Sequence, residues 1–316
     1  MVGITLDRLR VFLAVSEQMH FTRAAEVLYM TQSSVSAAIQ SLEEHYDVKL
    51  FDRIGRHIEI TAAGRLLQAE AQKILGQVDL AERGLQELNN LQRGELNLGA
   101  SLTIGNYWLP EKISNFKRQY PGIQIYCTLG NTEEISAGVA KGQFDLGFVE
   151  GEVDSSISSF LVKETVESDR LIIVVGKSHP WFKSSRVPLS ELSKTAWVMR
   201  EPGSGTRAMF EQALRRWGID PNELNVVLEM SSGEMVKAVV ESGVGATAIS
   251  ELIVKKELQL ESLYPIQVRG LDETELAQIA RFFLQLRHQQ RFQTRISQAF
   301  AQTFIVKECD ESSCNS

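Results

Sequence analysis

Along the first sixty residues, apolar side chains return every three or four positions, the spacing of helices that bury one face. Leu6, Leu9 and Leu13 share one face of a first helix, and Phe21 to Leu28 suits a short second one with Thr22 as its N-cap. Thr31 can cap a third, on which Val35, Ile39 and Leu42 fall at i, i+4 and i+7. Only Tyr29 and Met30 separate the second helix from the third, the short connection of a helix-turn-helix. Val48 to Ile60 then alternates apolar and polar residues about Gly55 and predicts a small hairpin, or wing.

From Thr61 the period changes. Leu67, Ala71, Ile74, Val78, Ala81, Leu85 and Leu88 are spaced alternately four and three apart, the seam of a helix that pairs with another chain. A helix lying on its own domain is the alternative, but it favours a broader stripe. Asn89, Asn90 and Gly94 mark a linker. Beyond it strands and helices alternate: strands at 96–100, 123–129 and 144–149, with helices near 108–119 and 133–141, predict a mostly parallel sheet covered on both faces. The pattern restarts at 171–175, 196–199, 226–228 and 246–249, giving a second lobe and a cleft between the two. The expected organisation is an all-α winged helix-turn-helix over 1–60 and a linker helix over 61–90. A two-lobed α/β body follows over 94–306, one lobe from 94–164 with 268–306 and the other from 165–267, then a tail over 307–316.

Composition narrows the function. Apolar residues make up 43% and charged residues 23% of the 316, enough for sizeable cores and unlike a disordered chain. With 33 Lys and Arg against 40 Asp and Glu, the net charge of -7 excludes a protein that coats nucleic acid by bulk electrostatics. Cys127, Cys309 and Cys314 form neither a disulfide framework nor a zinc-ligand pattern, as expected of a reducing compartment. The charged N-terminus has no signal-like core, and apolar runs such as Leu171 to Val175 are far shorter than the ~20 residues of a membrane span. We therefore expect a soluble cytoplasmic protein with no membrane partner.

The head holds six Lys and Arg against eight Asp and Glu, which argues against a general phosphate-binding face. Residues 31–42, however, carry no charge, and Arg53 and Arg56 sit together on the wing. Gln32 can bond adenine bidentately, and Ser33, Ser34 and Ser36 can bond phosphates or base edges. Thr22, Thr31, Gln32, Ser33, Ser34, Ser36, Arg53 and Arg56 form the candidate DNA-binding set.

The residues that carry this pattern also resemble a family. Leu6-x2-Leu9-x2-Phe12 is followed by Phe21-Thr22-x-Ala24-Ala25-x2-Leu28-x2-Thr31-Gln32-Ser33-Ser34-Val35-Ser36-x2-Ile39-x2-Leu42-Glu43, then Leu50-Phe51-x-Arg53 and Thr61-x2-Gly64. The run is similar to the LysR-type transcriptional regulators, and the organisation beyond it extends the resemblance over nearly the whole chain. Two departures are Ser33, where the family often has Pro, and Asp47 in place of a usual Gly; Asp tolerates left-handed geometry at some cost. The resemblance implies a homodimer or homotetramer on double-stranded promoter DNA, answering a small co-inducer. The body would be of the type II periplasmic-binding-protein kind, and RNA polymerase stays open as a further partner.

In sheets of this kind ligands bind beyond the carboxyl ends of the strands. The junctions there read Ser101-Leu102-Thr103, Asn131-Thr132, Gly203-Ser204-Gly205-Thr206 and Ser231-Ser232. Each sets short hydroxyl or amide side chains beside free helix N–H groups, a combination suited to an anion. Helix capping is the common use of any one of them, so it is their number that points to a shared ligand. Ser101, Thr103, Asn131, Thr132, Gly203, Ser204, Gly205, Thr206 and Ser231 form the candidate effector set. Arg200-Glu201-Pro202-Gly203-Ser204-Gly205-Thr206-Arg207 resembles a loop in a LysR branch that includes regulators of carbon fixation and sulfur assimilation. That likeness implies an anionic effector on Ser204, Gly205 and Thr206, with Ser101 and Thr103 at the family's first-lobe contact positions.

Catalysis finds no support. Gly203-x-Gly205 lacks a third Gly at the right spacing, and Gly243-x-Gly245 follows a helix instead of opening one. No P-loop, nucleophile elbow or HExxH occurs, and the five histidines are scattered, so neither metal nor cofactor is expected. The rival from another class is a solute-binding transport component built on the same two-lobed body.

Overall fold

A computed structural model describes residues 3–54, 57–87, 93–184, 186–269 and 279–304. It divides into two compact units, residues 1–85 and 86–316. Gly55, Arg56, Leu88, Asn89, Asn90, Cys309, Cys314 and the expected tail fall outside the described residues.

In the first unit α1 (Leu6–Gln18), α2 (Phe21–Val27) and α3 (Gln32–Tyr46) surround a core of Leu9, Phe12, Val15, Ala24, Val35, Ile39 and Leu42. The buried face of α1 is thus centred on Leu9, Phe12 and Val15; Leu6 is exposed, a shift from the expected Leu6/Leu9/Leu13 face. The N-cap of α2 lies two residues earlier than its sequence suggests. His20 is the cap, its Nδ1 accepting from the N–H groups of Thr22 (3.2 Å) and Arg23 (3.4 Å), which leaves Thr22 inside the first turn. Thr31 does cap α3, its hydroxyl accepting from Ser34 N–H at 3.2 Å. Asp47 closes α3 at φ 52°, in the left-handed region.

β1 (Phe51–Ile54) and β2 (His57–Ile60) pair antiparallel from Phe51↔Ile60 to Ile54↔His57, forming the wing. The 26-residue α4 (Ala62–Glu87) follows. Thr61 links the two, donating to Lys49 C=O at 2.6 Å and accepting from Gly64 N–H at 3.0 Å. A Cβ at Gly64 would collide with the Leu50 carbonyl and lie 2.6 Å from Ile60 Cγ1, which explains the Thr61-x2-Gly64 spacing. The α4 seam divides. Ala71 is buried in its own head beside Ala63, Leu67 and Leu75, whereas Ile74 (40%) and Leu85 (66%) are exposed.

The second unit continues with β3 (Gly94–Ser101), a π-helical turn at Ile104–Trp108, α5 (Leu109–Gln119), β4 (Ile123–Gly130), α6 (Thr132–Lys141), β5 (Leu146–Glu150) and α7 (Ser155–Ser158). Next come the 16-residue β6 (Leu161–Gly176), β7 (Val187–Pro188), β8 (Ala196–Arg200), α8 (Gly205–Arg216), β9 (Asn225–Met230), α9 (Gly233–Glu241), β10 (Ala246–Ser250) and α10 (Glu251–Gln259). β11 (Leu263–Ile266), β12 (Val268–Arg269), β13 (Ile279–His288) and α11 (Arg295–Gln302) complete it. The main sheet runs β4-β3-β5-β13-β6-β10-β8-β9, with β11 also on β6. Each outer half is parallel, as expected. Its centre is not: β6 and β13 pair antiparallel along ten positions and carry the chain between the lobes. One lobe packs Leu96, Phe116, Phe148 and Phe300, the other Ile173, Trp197, Phe210 and Leu214.

Candidate functional site

In the head, α3 presents its first turn outward. Thr31, Gln32, Ser33 and Ser34 are exposed, and Thr31 Oγ1 lies 2.9 Å from Ser33 Oγ and 2.7 Å from Ser34 Oγ. Ser36 is half-buried and, with Gln40, lines a groove of about 390 Å³ between α3 and the wing. Glu43, quoted in the family run but given no role there, ties the two together: its carboxylate accepts from Leu50 N–H (2.9 Å) and Phe51 N–H (3.3 Å) and pairs with Lys49 Nζ (2.8 Å). The turn before α3 is a Schellman closure, with Met30 N–H donating to Ala25 C=O at 2.9 Å and Tyr29 at φ 54°. Tyr29 is 97% exposed, so no packing explains an aromatic residue where Gly would be unstrained. Arg53 lies on β1, and Arg56 is outside the described residues.

In the body, most of the candidate effector residues converge, although not as free donors. Ser101, at the end of β3, donates to the carboxylate of Glu150, the last residue of β5. Thr132 Oγ1, at the start of α6, donates to Glu150 C=O at 2.8 Å. Gly205 opens α8 against the same carbonyl; a Cβ there would clash with that oxygen and lie 2.6 Å from Thr132 Oγ1. Thr206 accepts from Arg281 Nη1 at 2.9 Å. Arg281, on β13, also lies 3.4 Å from Glu150 Oε1 and donates through Nε to Asp169 Oδ2 at 2.8 Å, which in turn accepts from Ser250 at 2.8 Å. Gly203 joins the lobes from the side, its carbonyl accepting from Glu133 N–H at 3.2 Å.

The other candidates differ. Asn131 caps α6 in a capping box with Glu134, each bond 2.9 Å. Ser204 is buried at the N-cap position of α8, yet its hydroxyl makes no capping bond. Thr103 is buried with its hydroxyl unpartnered. Ser231 is exposed, 4.0 Å from Met235 Sδ, and Ser232 caps α9 instead. Sequence reasoning missed Glu150, Asp169 and Arg281, and with them a cluster of charges beneath the hydroxyls. It expected only neutral donors and helix N-termini.

Among the described residues no helix is long and apolar enough to cross a membrane, and no group of three or more His, Cys, Asp or Glu is placed to hold a metal ion. A winged helix-turn-helix joined to a two-lobed α/β body defines a DNA-binding regulator with a ligand-binding domain. Family comparison agrees: residues 6–65 match the bacterial regulatory helix-turn-helix protein, lysR family, and residues 89–305 match the LysR substrate binding domain. The chain belongs to the LysR family of transcriptional regulators. It is similar to the "Probable RuBisCO transcriptional regulator" of Cyanidium caldarium, 33% identical over 301 residues that span 95% of this chain and 93% of that protein. The Synechocystis PCC6803 CcmR regulatory domain, solved in complex with 2-PG, is 25% identical, covers 67% of this chain and 96% of that one, and superposes with a TM-score of 0.59. Full-length CbnR, solved with its target DNA, shares the fold at 18% identity, with a TM-score of 0.68 and coverage of 95% and 99%. A solute-binding transport component would leave residues 6–65 without a role.

Proposed function

We propose that this regulator controls genes of carbon fixation, binding promoter DNA through α3 and the wing and responding to a small anionic metabolite between its lobes. The convergence of Ser101, Thr132, Gly205 and Thr206, from both lobes, on one buried cluster carries the effector half of this reading. Likeness to RuBisCO regulators and to a 2-PG-bound domain supports the target and the ligand. The candidate DNA contacts are Gln32, Ser33, Ser34 and Ser36 for bases and phosphates, with Arg53 and Arg56 on the wing. The exposed Ile74 and Leu85 of α4 suit pairing with a second copy. So do the sheet edges, where β4 exposes Tyr126 and Leu129 and β9 exposes Val226 and Val227. The working form is then a cytoplasmic homodimer or homotetramer that performs no catalysis.

Fluorescence anisotropy on duplexes from upstream of carbon-fixation genes, titrated with 2-PG, tests this reading. Sequence-specific binding that shifts with 2-PG is expected. Equal affinity for promoter and scrambled duplexes, with or without 2-PG, rejects it.

A further inference from the structure

An effector held by Ser101 and Thr206 meets an obstacle that the sequence does not show. Both hydroxyls already have partners, and those partners are charged. Ser101 donates to the Glu150 carboxylate, and Thr206 accepts from Arg281. The cluster is closed to water: Ser101 is 1% exposed, Glu150 2% and Arg281 1%. One guanidinium there faces two carboxylates, Glu150 and Asp169, so the formal charge of the group is -1. Any anion arriving at these donors meets a net negative floor, in a setting where charges are weakly screened.

Glu150 also stands where a ligand's own acidic group would stand. It accepts a hydroxyl from the end of β3, lies beside the guanidinium on β13, and holds its carbonyl against the start of α8. Two donors remain underused. Thr103 Oγ1 is buried and unpartnered, and Arg281 Nη2 lies 2.7 Å from Asp169 Oδ2 without an aligned hydrogen bond. Of the two, Arg281 Nη2 lies in the cluster itself and is the donor an incoming anion would meet once Glu150 swings aside.

We propose that Glu150 is a resident anion occupying the effector's place, and that it determines which ligands the cleft accepts. Resting on the effector reading above, this makes binding an exchange: the ligand's acidic group takes Ser101 from Glu150 and engages Arg281. A hydrogen bond to an ionised acceptor is about twice as strong as a neutral one, so only a charged ligand competes well for Ser101. A neutral metabolite of the same shape would leave the charge-assisted bond in place. The apparent affinity of the true effector is in turn lowered by the work of displacing Glu150.

Glu150→Gln keeps the shape and an acceptor for Ser101 while removing the charge. Calorimetric titration of the full chain with 2-PG and with inorganic phosphate should show the variant binding at least one of them about tenfold more tightly than the wild type. Unchanged or weaker binding by a folded Glu150→Gln protein, beside measurable wild-type binding, overturns the proposal and leaves the effector reading standing. If neither protein binds either probe, both fall. Should Glu150→Gln lose its thermal unfolding transition, a crystal of the wild type grown with 2-PG decides. Ser101 Oγ on the ligand and off Glu150 supports the exchange, and an intact Ser101–Glu150 bond refutes it.

Discussion

Thr31, Ser33 and Ser34 lie exposed and bond to one another, whereas Ser101, Thr132 and Thr206 are buried and bond to a carboxylate, a carbonyl and a guanidinium. Both sets are short hydroxyls near helix starts. On the surface of α3 such groups already exchange partners with water, so DNA can take them over at little cost. In the cleft each bond that a ligand breaks must be replaced, because a buried polar group left unsatisfied costs about 1–3 kcal/mol. On the proposed reading the head would bind by docking and the cleft by substitution.

Removing the cation at the centre of the cleft should break this contrast most severely. Arg281→Met would leave Glu150 and Asp169 buried together without a counter-charge, at a cost of roughly 3–5 kcal/mol. Differential scanning calorimetry should show the body melting earlier while the transition of the head stays in place. A body that melts at the wild-type temperature would mean the cluster does not hold the lobes.

Two substitutions of intermediate effect sharpen the contrast. Gly205→Ala forces a Cβ onto the Glu150 carbonyl, and that overpacking should destabilise the body by about 1–3 kcal/mol. Gln32→Ala, on an exposed side chain, should leave thermal stability unchanged and weaken specific DNA binding by roughly 1–3 kcal/mol. Chemical denaturation and anisotropy measured on both proteins test whether stability and binding separate in this way.

The smallest effect has the opposite sign. Tyr29→Gly relieves a left-handed residue and should stabilise the head by about 1 kcal/mol. A drop in urea midpoint would reveal a contact that offsets the strain.

The head was legible almost residue by residue, because its signals are local. The Val35/Ile39/Leu42 stripe, the Thr31 cap and the paired strands of the wing each follow from spacing within a few positions. The miss at Thr22 shows the limit, since a histidine Nδ1 can do what a hydroxyl usually does. The positions of the cleft hydroxyls were legible too, but their partners were not. Glu150, Asp169 and Arg281 come from three strands far apart in sequence. β13 is also misleading in itself: Ile279, Arg281, Phe283 and Gln285 point inward, while Phe282 on the other face is exposed. Hydrophobic alternation can be drawn through Ala280, Phe282 and Leu284 just as well, and it then turns Arg281 outward. The first half of β6, Leu161 to Arg170, is too polar to register as a strand without β13 beside it.

The pairing of those two long strands has a mechanical side. Of the ten paired positions, Phe283 to Leu286 also pair with β5 and Leu171 also pairs with β10, so Ala280 to Phe282 against Ser168 to Arg170 make a two-ply ribbon between the lobes. Such a ribbon resists stretching and in-plane bending, because both would break ladder bonds, but it yields to torsion about its long axis. Its compliance is uneven. The register slips between Phe283 and Leu284, whose partners are Glu167 and Thr165, so Val166 is the extra residue of a bulge, where ladders are least regular and most readily twisted. The bulge is held on its other side by β5, whereas Arg281, paired with Asp169, is the middle of the two-stranded stretch. A change of partners at the charge cluster is thus applied where the sheet is only two strands wide, and it would emerge as a rotation of one lobe about the strand axis.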